Sequence, residues 1–140
     1  MYRWGEHTGE LELEIEADSE RGVFEEGFAA IRELLDGARV PGPPAPGRDA
    51  RPALARRRVS LHARDGAALL ADWLGELAFL AEEGLIPERL ASLELRGAGL
   101  EAVVEGHGDE RRHLVKAATY HRLSLTQRGS SWRACVVLDV

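Results

Sequence analysis

Apolar and acidic residues alternate strictly between Leu11 and Ala17. Because successive side chains of a strand point to opposite faces, the apolar positions should face a core and the three glutamates should face water. Asp18 and Ser19 then offer N-caps, and apolar residues recur at helical spacing until Gly37, which is typical of a helix stop. The pattern predicts a half-buried strand followed by an amphipathic helix.

A second strand and a second helix follow a proline-rich segment. Residues 40–58 hold most of the prolines of the chain, with several glycines and arginines, and such a composition buries too little apolar surface to order itself. We therefore predict a flexible loop at about 40–58. Residues 59–63 alternate as a strand. Behind the candidate N-cap Asp65, residues 66–83 carry a broad apolar arc that predicts the central core helix.

The remainder of the chain is predicted to form four strands. They cover residues 90–95, 99–105, 114–126 and 131–140, with turns predicted at 106–109 and 128–129. Strand, helix, strand, helix and then four strands indicate an α+β fold, with a mixed or antiparallel sheet packed against two main helices. The 140 residues suit a single domain that spans the whole chain.

Composition narrows the classes of function. The formal net charge of −6 argues against a general nucleic-acid binder, so we expect contact with RNA only indirectly, through a partner. The arginine run at 56–58 could contact RNA or an acidic partner, or could be a solvated loop edge. The single cysteine, Cys135, excludes an intramolecular disulfide, and its apolar strand predicts a small core residue.

Hydropathy gives an expectation for the compartment. No apolar stretch approaches the ~20 residues that cross a bilayer, and the polar N-terminal segment lacks a signal-peptide pattern. We expect a cytoplasmic protein with no membrane partner.

The last strand ends in concentrated negative charge, because Asp139 precedes Val140 and its α-carboxylate. Such a group of oxygens is unfavourable unless it is solvated or paired with a cation. Both readings, a solvated terminus and a cation site, are open at this point.

Four blocks of sequence, in the same order, resemble those of the archease family. They are His-Thr-Gly-Glu at 7–10, Leu-Leu-Ala-Asp-Trp-Leu-Gly-Glu-Leu at 69–77, Lys-Ala-Ala-Thr-Tyr-His at 116–121 and Val-Leu-Asp-Val at 137–140. The family has His-Thr-Ala-Asp in the first block and Val-Leu-Asp-Ile in the last. The resemblance covers nearly the whole chain and implies an archease-like single domain.

The resemblance implies a divalent-metal site formed by Glu10, Asp139 and Val140, with Asp36 as a secondary ligand candidate. Hard oxygen ligands of this kind favour Ca²⁺, Mg²⁺ or Mn²⁺ over zinc. Glu10 departs from the aspartate of the family and reaches one methylene further, so the site could be looser or select another ion.

The same resemblance marks residues for a role in activation. His7 could orient Glu10 by a hydrogen bond, or could be a turn histidine satisfied by the backbone. Lys116 could contact the acids of the metal site or a phosphate, or could be an edge-strand lysine. Thr119 and His121 should share the face of the strand opposite to Lys116.

Archeases activate the RNA-splicing ligase RtcB in tRNA splicing and RNA repair, and are not ligases themselves. The resemblance therefore implies a non-catalytic, metal-bearing protein that promotes guanylylation and multiple turnover of the ligase, as a monomer or a weak oligomer. The rival interpretation is a general chaperone or adaptor that presents the apolar helix and the proline-rich loop to clients. A stand-alone hydrolase is a weaker alternative, because no catalytic motif supports it.

Overall fold

The computed structural model describes residues 1–37, 54–108 and 115–140, and these residues form seven strands and two helices. Their order is β1 (Tyr2–His7), β2 (Glu10–Ala17), α1 (Glu20–Gly37), β3 (Leu54–His62), α2 (Gly66–Glu82), β4 (Leu85–Arg96), β5 (Gly99–Gly108), β6 (Ala117–Arg128) and β7 (Ser131–Asp139).

The strands form two sheets in which every paired neighbour is antiparallel. One sheet has the order β1-β2-β7-β6, and the other has the order β3-β5-β4. Helix α1 contacts β2 and β4, while α2 contacts β6, β4 and β3. Both helices therefore pack on both sheets and share one apolar core with them. The predicted α+β architecture is confirmed, with two antiparallel sheets instead of one.

Both predicted helices form, and each begins at a predicted cap. The Ser19 hydroxyl accepts a hydrogen bond from the Gly22 N–H at 2.9 Å, and the Asp65 carboxylate accepts one from Ala68 N–H at 2.8 Å. These bonds satisfy backbone donors that the first turn of a helix leaves free. Helix α2 is apolar on most of its surface, and Trp73 at its centre is fully buried. It is the central core helix that the sequence predicted.

Strand β1 was not predicted. Tyr2 and Trp4 point to the core side and pack on it, whereas Arg3 lies on the other side and pairs with Glu14 on β2. The alternation is a strand signal, but it is short and is interrupted by glycine. A two-residue turn joins β1 to β2, and Gly9 provides its positive φ of 74°.

The predicted loop at 40–58 ends too late in the chain. The structure begins β3 at Leu54, and the rest of the predicted loop lies outside the described residues. Arg56 pairs with Glu105 at 3.7 Å, and Arg57 pairs with Glu83 at 3.4 Å. The arginine run is therefore an exposed part of an edge strand. Its main chain is fixed by pairing with β5, which composition cannot reveal.

The predicted turn at 106–109 is also wrong for residues 106–108, which belong to β5, and Asp109 lies outside the described residues. Gly106 pairs with both Ala55 and Pro87, on the two neighbouring strands. The backbone of β4 approaches that of β5 so closely here that only a residue without a side chain fits. The glycine marks a close approach of backbones within a sheet and not a turn.

Substituting Gly106 with alanine should destabilise the domain strongly. An ideal Cβ at this position would lie 2.1 Å from the Ile86 carbonyl oxygen, and main-chain atoms cannot yield as a side chain does. We expect a loss of about 1–3 kcal/mol or more in the free energy of unfolding, measured by urea denaturation.

Gly75→Ala is the matched control, since its Cβ would meet nothing within 4 Å and the residue lies inside α2. This change should stabilise the domain by about 0.5–1 kcal/mol. A Gly106→Ala protein as stable as the wild type would contradict the close packing of β4 on β5.

Candidate functional site

Two carboxylates stand side by side on the four-stranded sheet. Glu10 at the start of β2 is the cross-strand partner of Asp139 at the end of β7. Directly opposed residues of an antiparallel pair share a face, with Cβ atoms about 4.5–5.5 Å apart. His7 is paired in register with Glu10 on one side, and Ala117 with Asp139 on the other. We call Glu10 and Asp139 the acid pair.

The backbone holds the end of the chain next to the acid pair. The Val140 N–H donates to the Gly9 carbonyl at 3.1 Å, and the Lys116 N–H donates to the Asp139 carbonyl at 2.7 Å. The main chain of Val140 is therefore bonded to the β1–β2 turn. We call the end of the sheet that holds Glu10, Asp139 and Val140 the C-terminal corner.

Positive charges are unevenly spread over the outer face of this sheet. That face carries Glu10, Glu12, Glu14 and Glu16. Three of these glutamates each have an arginine within ion-pair distance. The pairs are Glu12 with Arg122, Glu14 with Arg3, and Glu16 with Arg133. Among the described side chains, no cationic nitrogen lies within 4.0 Å of either member of the acid pair.

Like charges that face each other across two strands are unfavourable unless water or a cation screens them. The oxygen-only donor set of the acid pair and the Val140 carboxylate suits a hard divalent ion. No group of three or more His, Cys, Asp or Glu side chains among the described residues could hold a metal. The role of Glu10, Asp139 and Val140 as metal ligands therefore stays a prediction.

Comparisons with known proteins show the family of the chain. The sequence model of the Archease protein family matches residues 2–140 of the chain. The chain belongs to the archease family. The predicted resemblance is therefore confirmed over almost the entire length.

Curated archeases from two organisms show the degree of similarity. The Methanosarcina acetivorans archease is 28% identical over 152 residues, which cover 99% of this chain and 95% of that protein. The Methanothermobacter thermautotrophicus archease is 35% identical over 94 residues, which cover 60% of this chain and 66% of that protein.

Two solved structures share the fold. A crystal structure of a Thermotoga maritima archease, described as a possible chaperone, has a TM-score of 0.64 and 18% identity, and the match covers 100% of this chain and 98% of that one. The solution structure of Methanobacterium thermoautotrophicum protein 1598 has a TM-score of 0.65 and 23% identity, covering 99% and 98%. At these identities the likeness shows the fold alone. Within the residues described, neither helix is long and apolar enough to cross a membrane.

In this archease, Ala117, Ala118 and Thr119 alternate between the two sides of β6, whereas Lys116 precedes the strand and His121 lies in a break of its register. Ala118 packs on the core, and the exposed Tyr120 donates its hydroxyl to Asp72 on α2 at 3.1 Å. Thr119 lies on the outer face beside Val137. Its Oγ1 is buried and has no hydrogen-bond partner among the described residues. Lys116 is exposed next to the sheet corner.

Asp36 does not join the acid pair in the structure. It is exposed in the last turn of α1, and the structure records no interaction between it and Glu10 or Asp139. Its neighbour Gly37 lines a cleft that Val140 also lines, together with Trp4, so the end of α1 lies near the chain terminus. Its role as a secondary ligand stays a prediction.

Cys135 is not the core residue that its apolar strand predicted. It opposes Glu14 on the outer face, is only partly buried, and donates its thiol to Glu12 Oε1 at 3.1 Å. Burial first, and then the hydrogen bond and charge of Glu12, raise the pKa of the Cys135 thiol to about 11. The thiol is neutral at physiological pH and is a poor nucleophile or metal ligand.

One residue near this site was missed by sequence reasoning altogether. Arg122 has a φ of 55°, and among the described non-glycine residues it alone has a positive φ. The left-handed region costs such a residue about 1–2 kcal/mol. Arg122 Nη1 lies 4.0 Å from Glu12 Oε2, and the arginine side chain is half exposed. Exposed ion pairs contribute about 0–1 kcal/mol to stability. Among the described residues, the backbone conformation of Arg122 therefore costs at least as much free energy as its ion pair with Glu12 contributes.

Proposed function

We propose that this archease activates the RNA-splicing ligase RtcB by presenting a divalent cation at its C-terminal corner. The observation that carries the proposal is the acid pair, since Glu10 and Asp139 are cross-strand partners and no cationic group of the described side chains lies within ion-pair distance of either. Membership of the archease family supports an accessory role. Calcium, magnesium and manganese are the ions whose ligand preference fits these oxygens.

Each residue of the corner has a distinct part in the proposed mechanism. Glu10 and Asp139 would hold the cation from one sheet face, and the Val140 carboxylate would add a third oxygen group. Asp139 is exposed, so groups of the partner would have access to the corner. When bound, the cation supplies positive charge that polarises a phosphoryl group. Lys116, exposed beside the corner, is proposed to neutralise further phosphate charge.

The proposed role is non-catalytic, with the guanylylated histidine and the bond-forming steps belonging to the ligase. The archease docks transiently, promotes guanylylation of the ligase and allows further rounds of ligation. RNA is reached through the ligase, in keeping with the net charge of −6. His7, Thr119 and His121 are proposed to shape the same contact, as they belong to the two strands that flank the acid pair.

A C-terminal extension tests the use of the chain terminus. Adding a Gly-Ser-Gly-Ser tag after Val140 converts its carboxylate to an amide and removes one anionic ligand. We expect at least a tenfold weaker Mn²⁺ affinity by calorimetry, and a matching loss of stimulated ligation in multiple-turnover assays.

The same tag placed before Met1 is the control. The N-terminal ammonium contacts Glu26 at an exposed site, so this extension should change the free energy of unfolding little. Equal Mn²⁺ affinity and equal stimulation for both tagged proteins would remove Val140 from the site.

A general chaperone is the second candidate function. Its support is the description of the Thermotoga maritima archease as a possible chaperone, together with the cleft that Trp4, Leu11 and Leu34 line. A chaperone should suppress aggregation of heated citrate synthase with or without chelator. A ligase activator should leave that aggregation unchanged and should act on RtcB only in the presence of a divalent ion.

A further inference from the structure

Arg122 owes its position to a register break in β6. Thr119 pairs with Val137 and Ser124 with Cys135, so β6 uses five residue steps where β7 uses two. The residues between them form a bulge, and such irregularities re-aim side chains at functional sites. Here the bulge turns the guanidinium of Arg122 onto the outer face of the sheet, where it lies 4.0 Å from Glu12.

The guanidinium of Arg122 is paired with Glu12 by charge but keeps hydrogen-bond donors available for another group. Its side chain is 47% exposed, and none of its N–H groups donates a hydrogen bond to another described residue. A guanidinium presents five donors in a planar fork that matches the oxygens of carboxylates and phosphates. A strained conformation that the local contacts do not offset is a reason to infer function.

The position of Arg122 relative to the acid pair indicates its ligand. Glu12, which the guanidinium approaches, is two residues from Glu10 on the same face of β2, a separation of about 7 Å. A cation at the acid pair and the guanidinium would thus lie next to each other on the outer face. A phosphate group matches both neighbours chemically, because its oxygens can contact a divalent ion and accept hydrogen bonds from arginine at once.

We propose that Arg122 binds a phosphate group that is held at the same time by the cation at Glu10, Asp139 and Val140. The inference rests on the proposed function and deepens it, since it assigns a phosphate-binding residue to the metal corner. Arg122 then keeps its strained backbone because the side chain contacts the partner's phosphate. The phosphate could belong to the nucleotide or to an RNA end, and the two sources are separated by the assays below.

Three variants separate strain from charge. Arg122→Gln keeps a side chain at positive φ but has no charge. Arg122→Lys keeps the side chain and the charge, and Arg122→Gly loses both the charge and the backbone strain. Arg3→Gln is the matched control, because Arg3 also pairs with a glutamate of the outer face. All five proteins, the wild type included, are compared with Mn²⁺ and inorganic pyrophosphate as probes.

We expect Arg122→Gly to raise the melting temperature by about 2–5 °C, since the strain disappears. Pyrophosphate affinity in the presence of Mn²⁺, measured by calorimetry, should fall at least tenfold in Arg122→Gly and in Arg122→Gln. It should fall less in Arg122→Lys and stay unchanged in Arg3→Gln. Mn²⁺ affinity without pyrophosphate should be the same in all of these proteins within about twofold.

Assays with the ligase assign the source of the phosphate. If the nucleotide supplies the phosphate, Arg122→Gln raises the KM for GTP in stimulated guanylylation. If an RNA end supplies it, the same variant raises the KM for RNA in ligation. Unchanged pyrophosphate affinity in Arg122→Gln, with Mn²⁺ binding intact, overturns the role of Arg122 and leaves the proposed function standing. If the wild-type chain binds no Mn²⁺, the metal corner and this inference fail together.

Discussion

Asp139→Ala should abolish stimulation of the ligase while the protein stays folded. Asp139 is exposed and makes no ion pair within the described part of the chain, so its side chain adds little to stability. Removing it also relieves the repulsion with Glu10. We expect the free energy of unfolding to change by less than about 1 kcal/mol, and Mn²⁺ affinity to fall at least tenfold.

Glu16→Ala is the control for Asp139→Ala. Glu16 lies on the same face, is exposed, and pairs with Arg133 at 3.8 Å, so the same charge is removed away from the corner. Stimulation and Mn²⁺ affinity should both be retained. Full stimulation by a folded Asp139→Ala protein would show that the acid pair has no part in activation.

Trp73→Ala should leave most of the protein unfolded at 25 °C. Trp73 is fully buried on α2, its ring stacks on Phe28 with centroids 6.3 Å apart, and its indole N–H donates to the Phe24 carbonyl at 3.0 Å. Truncation of a buried tryptophan costs about 3–5 kcal/mol. Loss of the indole hydrogen bond adds about 0.5–1.5 kcal/mol, because the Phe24 carbonyl lies inside α1 and keeps its helical partner. The sum is comparable with the total stability of a typical domain, about 5–15 kcal/mol.

Near-UV circular dichroism and urea denaturation measure this loss. Phe79→Ala is the control, because Phe79 lies on the same helix but is 48% exposed, and we expect a change within about 0.5 kcal/mol. A Trp73→Ala protein with a cooperative transition near that of the wild type would contradict the placement of α2 at the centre of the core.

The parts of the fold that the sequence predicted are those with local signals. Ser19 and Asp65 cap the two helices because a cap needs only residues a few positions away. Strand β1, the start of β3 and the division into two sheets depend on pairing between distant segments. Gly106 illustrates the difference, since glycine marks a turn in one context and a close approach of two paired strands in another.

The candidate site shows the same limit. Glu10 and Asp139 lie at opposite ends of the chain, so only the resemblance to archeases brought them together before the structure did. The arginines that pair with the other glutamates come from three different strands. The local sequence around Glu10 and Asp139 therefore does not reveal that no described arginine pairs with them. Arg122 was missed because its positive φ follows from a register break between β6 and β7, which a single sequence does not display.

The most direct test of the central claim is the rate of guanylylation of the ligase. The RtcB ligase of the same organism is incubated with labelled GTP and Mn²⁺, with and without this archease, and the ligase–GMP adduct is quantified over time. We predict faster adduct formation with the wild-type chain. With Asp139→Ala, the rate should equal that of the ligase alone. An unchanged rate with folded wild-type protein would contradict activation and limit the relation to archeases to family and fold.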